Sequence, residues 1–265
     1  MKDVFVEGRT LPEVYHAAIL RMFTDGQLAD CEDWAAMMGE QQRECRMTLH
    51  IEEPTAEPRM SKLTICGPRE LRQYELEVLD GIMDFAVDVT KEDGTPLEDY
   101  TYSWRMHHPF DQVRFVLDDL RRSASSRRAI IGIRDNDTDH RLQNPACLQN
   151  LQFFIRDGKL DCCVMFRSND FAQAFFMNAW AFIRLQERLA AKLGVGVGTY
   201  SHTSNSMHVY GKSFGLFEGY VEQIRARPHE ELCYDYEDLF KDMMEEYDAE
   251  IAAGFARVRA AYGLE

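Results

Sequence analysis

Apolar side chains recur at helical spacing in four stretches of the chain. Val14, Ile19, Leu20 and Phe23 are among the apolar positions of a helix that Thr10 can cap and Pro12 opens, and Asp25-Gly26 ends it. From about 69 to 86, Leu71, Tyr74, Val78, Leu79, Ile82 and Phe85 repeat the pattern. Glu75 lies four residues from both Leu71 and Leu79, inside that stripe, whereas Glu77 points elsewhere. A carboxylate on an apolar stripe is either paired in the interior or kept for proton transfer. Phe110–Arg122 forms a third amphipathic helix. A fourth runs from about 172 to 193 and closes at Gly194, with Lys192 in its last turn.

Alternation with period two marks strands instead. It covers RMTLHIE at 46–52, with Ala129–Ile133 as a short buried strand. Gln149–Arg156 and Leu160–Arg167 are joined by Asp157-Gly158, the strongest short hairpin signal in the chain. The stretch VGVGTYSHTSNSMHVYG alternates too, with polar side chains on one set of positions. EPTAEPRMSK and KEDGTPLED read as loops, and from about 230 the chain is acidic and helical. GVGVG at 194–198 lacks the strand before and helix after that a dinucleotide loop requires, so it is a helix cap and turn. Strands and helices do not alternate in βαβ fashion and no repeat or linker appears. The expectation is one α+β domain over 1–265.

Charge narrows the function. Thirty Lys and Arg against 45 Asp and Glu leave a net charge of −15, which disfavours broad binding to nucleic acid or anionic membrane. A local arginine cluster in such an acidic chain points to a specific small anion. No apolar run approaches the roughly 20 residues that span a bilayer, and MKDVFVEGRT lacks the apolar core of a signal peptide. Seven cysteines form neither CxxC nor a tandem Cys/His spacing. Neither a disulfide framework nor a metal is expected, and a reducing cytoplasm is the expected setting.

Four features carry candidate chemistry: Cys147; Arg127-Arg128 after a serine; Arg167-Ser168 with Asp170; and Asn178 on the following helix. His208 and Tyr210, two apart on a strand, project to the same face. Each alone has a plainer reading, as a buried structural thiol, a solvated arginine pair or a half-buried strand face.

Together they resemble the thymidylate synthase family, from about 100 to 210, in order and nearly without gaps. Tyr100 with Trp104-Arg105 resembles its Tyr-x-x-x-Trp-Arg segment, and FDQVRFVLDDLRRSASSRRAII its Asp-Gln helix followed by Ser-Arg-Arg. NPACLQNLQFFIRDGKL resembles the nucleophile strand with its Asp-Gly hairpin. FRSNDFAQAFFMNA resembles the Arg-Ser-x-Asp block with its downstream Asn, and HVY the His-x-Tyr. Leu148-Gln149 looks closest to the short, archaeal-type branch.

The resemblance implies a large mixed β-sheet flanked by helices, dimerising through the sheet. It also implies C5 one-carbon transfer to a pyrimidine nucleoside monophosphate, with 5,10-methylenetetrahydrofolate as donor. Cys147 as thiolate would add to C6 of the ring, turning C5 into a carbon nucleophile. Arg167 would lower the thiol pKa and bind phosphate. Arg127 and Arg128 would reach the partner's nucleotide and, with Ser168, fork around a phosphate dianion. A further amino-terminal arginine is implied, for which Arg43 and Arg46 both qualify. Gln152 joins the substrate-binding set. Asn178 would read the N3-H and O4 edge of uracil, and His208 and Tyr210 the sugar 3′-hydroxyl. Asp170 would bind the pteridine, Tyr100 would help remove the C5 proton, and Glu75 would relay protons.

Departures from the family pattern are Leu148 for histidine, Arg134 for tryptophan, Ser206-Met207 for Gly-Asp, and RVRAAYGLE in place of a closing tail. Exclusion of water decides the product, since hydride on the exocyclic methylene gives methyl and water gives hydroxymethyl. Three activities follow as expectations: methylation of dUMP to dTMP, which Asn178 favours; hydroxymethylation of CMP, dCMP or dUMP; and nucleotide binding without catalysis.

Overall fold

The computed structural model describes residues 1–32 and 38–264. In chain order the elements are β1 (Asp3–Gly8), α1 (Leu11–Asp25), β2 (Gln27–Asp30), β3 (Gln41–Ile51), β4 (Met60–Ser61) and α2 (Pro68–Asp80). Next come α3 (Tyr102–His107), α4 (Gln112–Arg122), β5 (Ile130–Gly132), β6 (Leu148–Arg156), β7 (Lys159–Phe166) and β8 (Asn169–Asp170). The remainder is α5 (Phe175–Leu193), β9 (Gly196–Tyr210), α6 (Phe214–Ala226), β10 (Cys233–Tyr234), α7 (Lys241–Glu246) and α8 (Asp248–Ala261).

Eight strands make one mixed sheet along the path β1-β3-β9-β7-β6-β5, with β2 added to β3 and β8 to β9. β1 lies parallel to β3, and β7 and β8 lie parallel to β9. The β3–β9, β6–β7 and β5–β6 pairs are antiparallel. Alternation sets the register. Cys45, Met47, Leu49 and Ile51 of β3 and Leu160, Cys162, Val164 and Phe166 of β7 are buried. A slip of one residue would turn each set to the other face. α1 packs on β1 and β3, and α5 on β7 and β9, with Phe175, Phe182 and Ile183 buried between the layers. Truncating a ring such as Phe182 to alanine costs ~3–5 kcal/mol. Alternate positions on the other face stay half-buried, bonded as Thr48–Thr203 and His50–Ser201.

Local chemistry explains the element ends. Thr10 Oγ1 accepts from Glu13 N at the start of α1. Asp157 and Gly158 take φ of 49° and 72°, as a two-residue hairpin between right-twisted strands requires. The helix expected through about 86 stops at Asp80 instead. Gly81 adopts the left-handed conformation there, and 84–87 form a separate 3-10 turn. The acidic segment after 230 is not helical throughout, because Cys233 and Tyr234 pair with Ser61 and Met60 before α7 begins. α8 lies on α2 through Arg72–Asp248 and Arg69–Glu250.

Candidate active site

The ends of β7 and β9 and the starts of β3, β6 and α5 meet around a cavity of about 720 Å³. This is within the usual size of a small-molecule site. Cys147, Arg167, Ser168, Asp170, Asn178, His208 and Tyr210 all line it. Seven residues scattered over 64 positions of sequence are thereby brought to one place, as the motif reading expected.

Arg167 and Ser168 reach the cavity because the ladder lapses for two residues. Phe166 pairs with Ser204 and pairing resumes at Asn169 with Met207. The Arg167 guanidinium is fastened to the loop that carries the thiol, with Nη2 donating to Pro145 O at 2.6 Å and Nε to Ala146 O at 3.2 Å. Its backbone N–H donates to Cys147 O. Burial pushes the Cys147 thiol above its ordinary pKa, and Arg167 pulls it back only in part. The hydroxyl of Tyr102 accepts from the Leu148 N–H beside the thiol.

Asn178 is buried and held at both ends. Its Oδ1 accepts from the Tyr74 hydroxyl, and its Nδ2 donates to Asn169 Oδ1 at 3.4 Å. Asn169 Nδ2 in turn donates to His202 Nε2 at 2.9 Å. Burial pushes His202 down to about 3, so the ring is neutral, and Nδ1 carries the proton it donates to Tyr200. An amide nitrogen can only donate and that imidazole nitrogen can only accept, so the run of bonds has one direction. It leaves Asn178 one lone pair and one N–H for a ligand.

His208 has the opposite condition. Its Nδ1 lies 3.3 Å from Ser206 O, to which it can only donate. Burial lowers its pKa, so Nε2 is an acceptor, and among the described residues that buried atom has no partner. A buried polar atom without a bond costs about 1–3 kcal/mol, which a ligand hydroxyl would recover. Asp170 accepts from the backbone of Ala172 and Gln173, and burial raises its pKa.

A second cavity of about 320 Å³ adjoins the first, the two sharing Tyr74, Tyr102 and Asn144. Tyr100 lines this one, not the first. Its hydroxyl pKa is pushed up to about 12 by burial and by Cys147, with Arg167 opposing. Glu77 also lines it, its pKa raised by burial.

Several expected residues lie elsewhere, each for a reason. Glu75 does not face either cavity. It accepts from Arg72, Arg184 and Trp180, a buried charge neutralised by two guanidiniums. Tyr74 and Glu77, three apart, share the cavity side of α2, and Glu75 falls on the side facing α5. Of the two carboxylates it is Glu77, and not Glu75, that lines a cavity. Arg43 turns to the carbonyls of Gly26 and Phe23 at the end of α1, and Arg46 pairs with Asp3. Neither lines the cavity that holds Cys147. Arg127 and Arg128 are exposed outside the cavity of their own chain, and Arg128 pairs with Asp119. Gln152 donates to Arg127 O and also lies outside. Arg134 is paired with Asp139. Tyr74 and Tyr102 line the site without having been expected there. Tyr74 stood in the apolar stripe as a core residue, and nothing in its spacing marked the hydroxyl.

Known proteins resemble this chain in sequence and in fold. The family model for thymidylate synthase matches residues 68–250. A Methanocaldococcus jannaschii protein named "Putative thymidylate synthase" is 32% identical over 214 residues, covering 77% of this chain and 90% of that one. A Methanosarcina barkeri protein of the same name is 27% identical over 232 residues, covering 84% and 100%. Thermostable thymidylate synthase A from Bacillus subtilis superposes with a TM-score of 0.65 at 18% identity, over 81% of this chain and 84% of that one. The last shares the fold, a mixed sheet flanked by helices. Matched over more than half its length, the chain belongs to the thymidylate synthase family.

Proposed function

We propose that the chain transfers a one-carbon unit from 5,10-methylenetetrahydrofolate to C5 of a pyrimidine nucleoside 5′-monophosphate, converting dUMP to dTMP. The observation that carries this reading is the meeting, in one cavity, of a thiol beside a guanidinium, a tethered amide and an imidazole nitrogen without a partner. Cys147 Sγ adds to C6, and C5 then attacks the one-carbon electrophile. Arg167 favours the thiolate and, with the Ser168 hydroxyl, binds the phosphate. His208 Nε2 accepts the sugar hydroxyl and Tyr210 stands beside it.

Uracil is favoured by the run of bonds behind Asn178. With Oδ1 already directed to Tyr74 and Nδ2 to Asn169, the remaining lone pair and N–H match the N3-H and O4 of uracil. Cytosine presents an acceptor at N3 and a donor at N4, which would require the amide to turn over. That would set Asn178 Oδ1 against Asn169 Oδ1 and force the Tyr74 hydroxyl to reverse from donor to acceptor. The adjoining cavity suits the folate. Glu77, Glu98 and Asp99 offer acceptors there for the pteridine N–H groups, and Asp170 does so from the nucleotide side. When bound, the folate supplies the one-carbon unit and, for methylation, the hydride. Glu77, protonated more readily because it is buried, replaces Glu75 as the proton-relay carboxylate, close to Tyr100.

The anion site of one chain is incomplete. Arg167 faces Glu32, Glu44 and Asp170 across the same cavity. Arg127 and Arg128 of a second copy, docked through the uncovered sheet face, would supply the missing positive charge. Hydroxymethylation is the second reading, supported by the polar wall of Gln42, Glu44 and Ser206, which can admit water to the reacting carbon. Incubation with methylenetetrahydrofolate and a panel of dUMP, dCMP, UMP and CMP separates these. Methylation of dUMP gives dTMP and dihydrofolate. Hydroxymethylation of any of the four gives no dihydrofolate and a product heavier than the methylated form of the same nucleotide by one oxygen atom, about 16 mass units. No product with any nucleotide would refute both.

A further inference from the structure

Away from both cavities, three side chains from the two ends of the chain converge. His16 of α1, His229 and Cys233 place one ligand atom each within 4.8 Å of one another. His16 Nδ1 lies 3.1 Å from His229 Nδ1. Cys233 Sγ is 4.0 Å from that same nitrogen and 3.5 Å from Nε2 of the ring. His16 and Cys233 are buried and His229 is half-exposed, so the cluster has one side open to solvent.

The spacings suit a tetrahedral ion. Zinc bonds of about 2.0–2.1 Å to nitrogen and 2.3 Å to sulfur put ligand nitrogens roughly 3.3 Å apart and nitrogen and sulfur roughly 3.6 Å apart. Taken through His229 Nδ1, the cluster has 3.1 Å between nitrogens and 4.0 Å from nitrogen to sulfur, within about 0.4 Å of both tetrahedral spacings. The far nitrogen of His16 is also accounted for, since Nε2 lies 2.8 Å from Ser61 Oγ. That hydroxyl is itself fixed by the Leu63 N–H at 3.0 Å. An outer hydrogen bond on the second ring nitrogen is how a ligating histidine is usually oriented. Ser61 pairs with Cys233 across the β4–β10 ladder, so ligand and support belong to one small structure.

We propose that His16, His229 and Cys233 form a zinc site, with water as fourth ligand, that pins residues 229–234 to α1. Binding forms two Zn–N bonds and one Zn–S bond and releases the thiol proton to solvent. The ion cross-links elements separated by 213 positions, and its role is structural, apart from the chemistry at Cys147.

The test uses the full chain, stripped with a chelator and titrated with zinc chloride by calorimetry, with bound metal counted by elemental analysis. One zinc per chain is expected in wild type and in Cys147→Ser, together with a rise in Tm. Ser61→Ala should weaken binding by roughly 10–100-fold, and His229→Gln and Cys233→Ser by at least as much. His229 is half-exposed, so its substitution spares the core; its circular dichroism should match wild type. Cobalt in place of zinc should give a thiolate charge-transfer band that Cys233→Ser removes. Zinc uptake that is absent in wild type, unchanged in His229→Gln and Cys233→Ser, or lost only with Cys147→Ser would overturn the proposal.

Discussion

Tyr74→Phe removes one oxygen atom and leaves the ring that lines both cavities. Asn178 Oδ1 then loses its donor while Nδ2 stays on Asn169. Leaving a buried acceptor without its bond costs about 1–3 kcal/mol. In the complex the uracil N3-H supplies that acceptor again, so this cost appears as a lowered Tm. What dUMP loses is the preset orientation of the amide, worth at most the same bond, so kcat/KM should fall by no more than roughly 5- to 150-fold. The more telling effect is on selectivity. With the hydroxyl gone, turning the amide over still breaks the Asn169 bond but no longer has to reverse Tyr74 from donor to acceptor, so the ratio of kcat/KM for dUMP to that for dCMP should fall. The assay is release of tritium from C5 of each nucleotide in the presence of methylenetetrahydrofolate, with Tm measured in parallel to separate loss of fold from loss of selectivity. A selectivity ratio unchanged in a stably folded Tyr74→Phe enzyme would refute the claim that this hydroxyl orients Asn178.

Other outcomes follow from the same geometry. The Cys147 thiol has its pKa raised by burial, so its alkylation by iodoacetamide should accelerate with pH beyond the range of an ordinary cysteine; Arg167→Gln removes the opposing charge and should move that limb further to alkaline pH. Glu77→Gln should lower turnover at nearly unchanged nucleotide affinity. Glu75→Gln should instead cost about 3 kcal/mol of stability, the low end for a broken buried pair because Arg72 and Arg184 keep some solvent, and this would be read as a lowered Tm. Arg127→Ala and Cys147→Ser, each impaired alone, should recover activity when mixed and allowed to exchange subunits; no recovery would count against arginine sharing.

The strand pattern was legible because alternation is enforced by burial on one face, and the hairpin because Asp157-Gly158, which takes two positive φ angles, has an alternating run on either side. Helix ends were less so. Gly81 lies inside a run of apolar spacing that continues to Phe85, and only its left-handed backbone shows where the helix stops. At the site, motif order led to Cys147, Arg167, Asn178 and His208, which line one cavity because the strand ends and helix that carry the motifs converge there. Glu75 lies away from both cavities for a reason its spacing does not carry: position on an apolar stripe reports burial, but cannot say whether arginines from α2 and α5 will pair with it. Tyr74 was invisible for the converse reason, as periodicity weighs its ring and not its hydroxyl. Of the His16–His229–Cys233 cluster only the pair His229 and Cys233 is local, four residues apart, and its third member comes from the other end of the chain, so the sequence does not show the three together.

Covalent addition by Cys147 is tested most directly by intact-protein mass spectrometry after incubation with 5-fluoro-dUMP and methylenetetrahydrofolate. Fluorine at C5 cannot leave as a proton does, so the reaction should stall with nucleotide and folate both attached. The account predicts a mass increase equal to the sum of the two ligands, mapped to the peptide containing Cys147 and absent from Cys147→Ser. An unmodified wild-type mass, or an adduct that persists in Cys147→Ser, would contradict it.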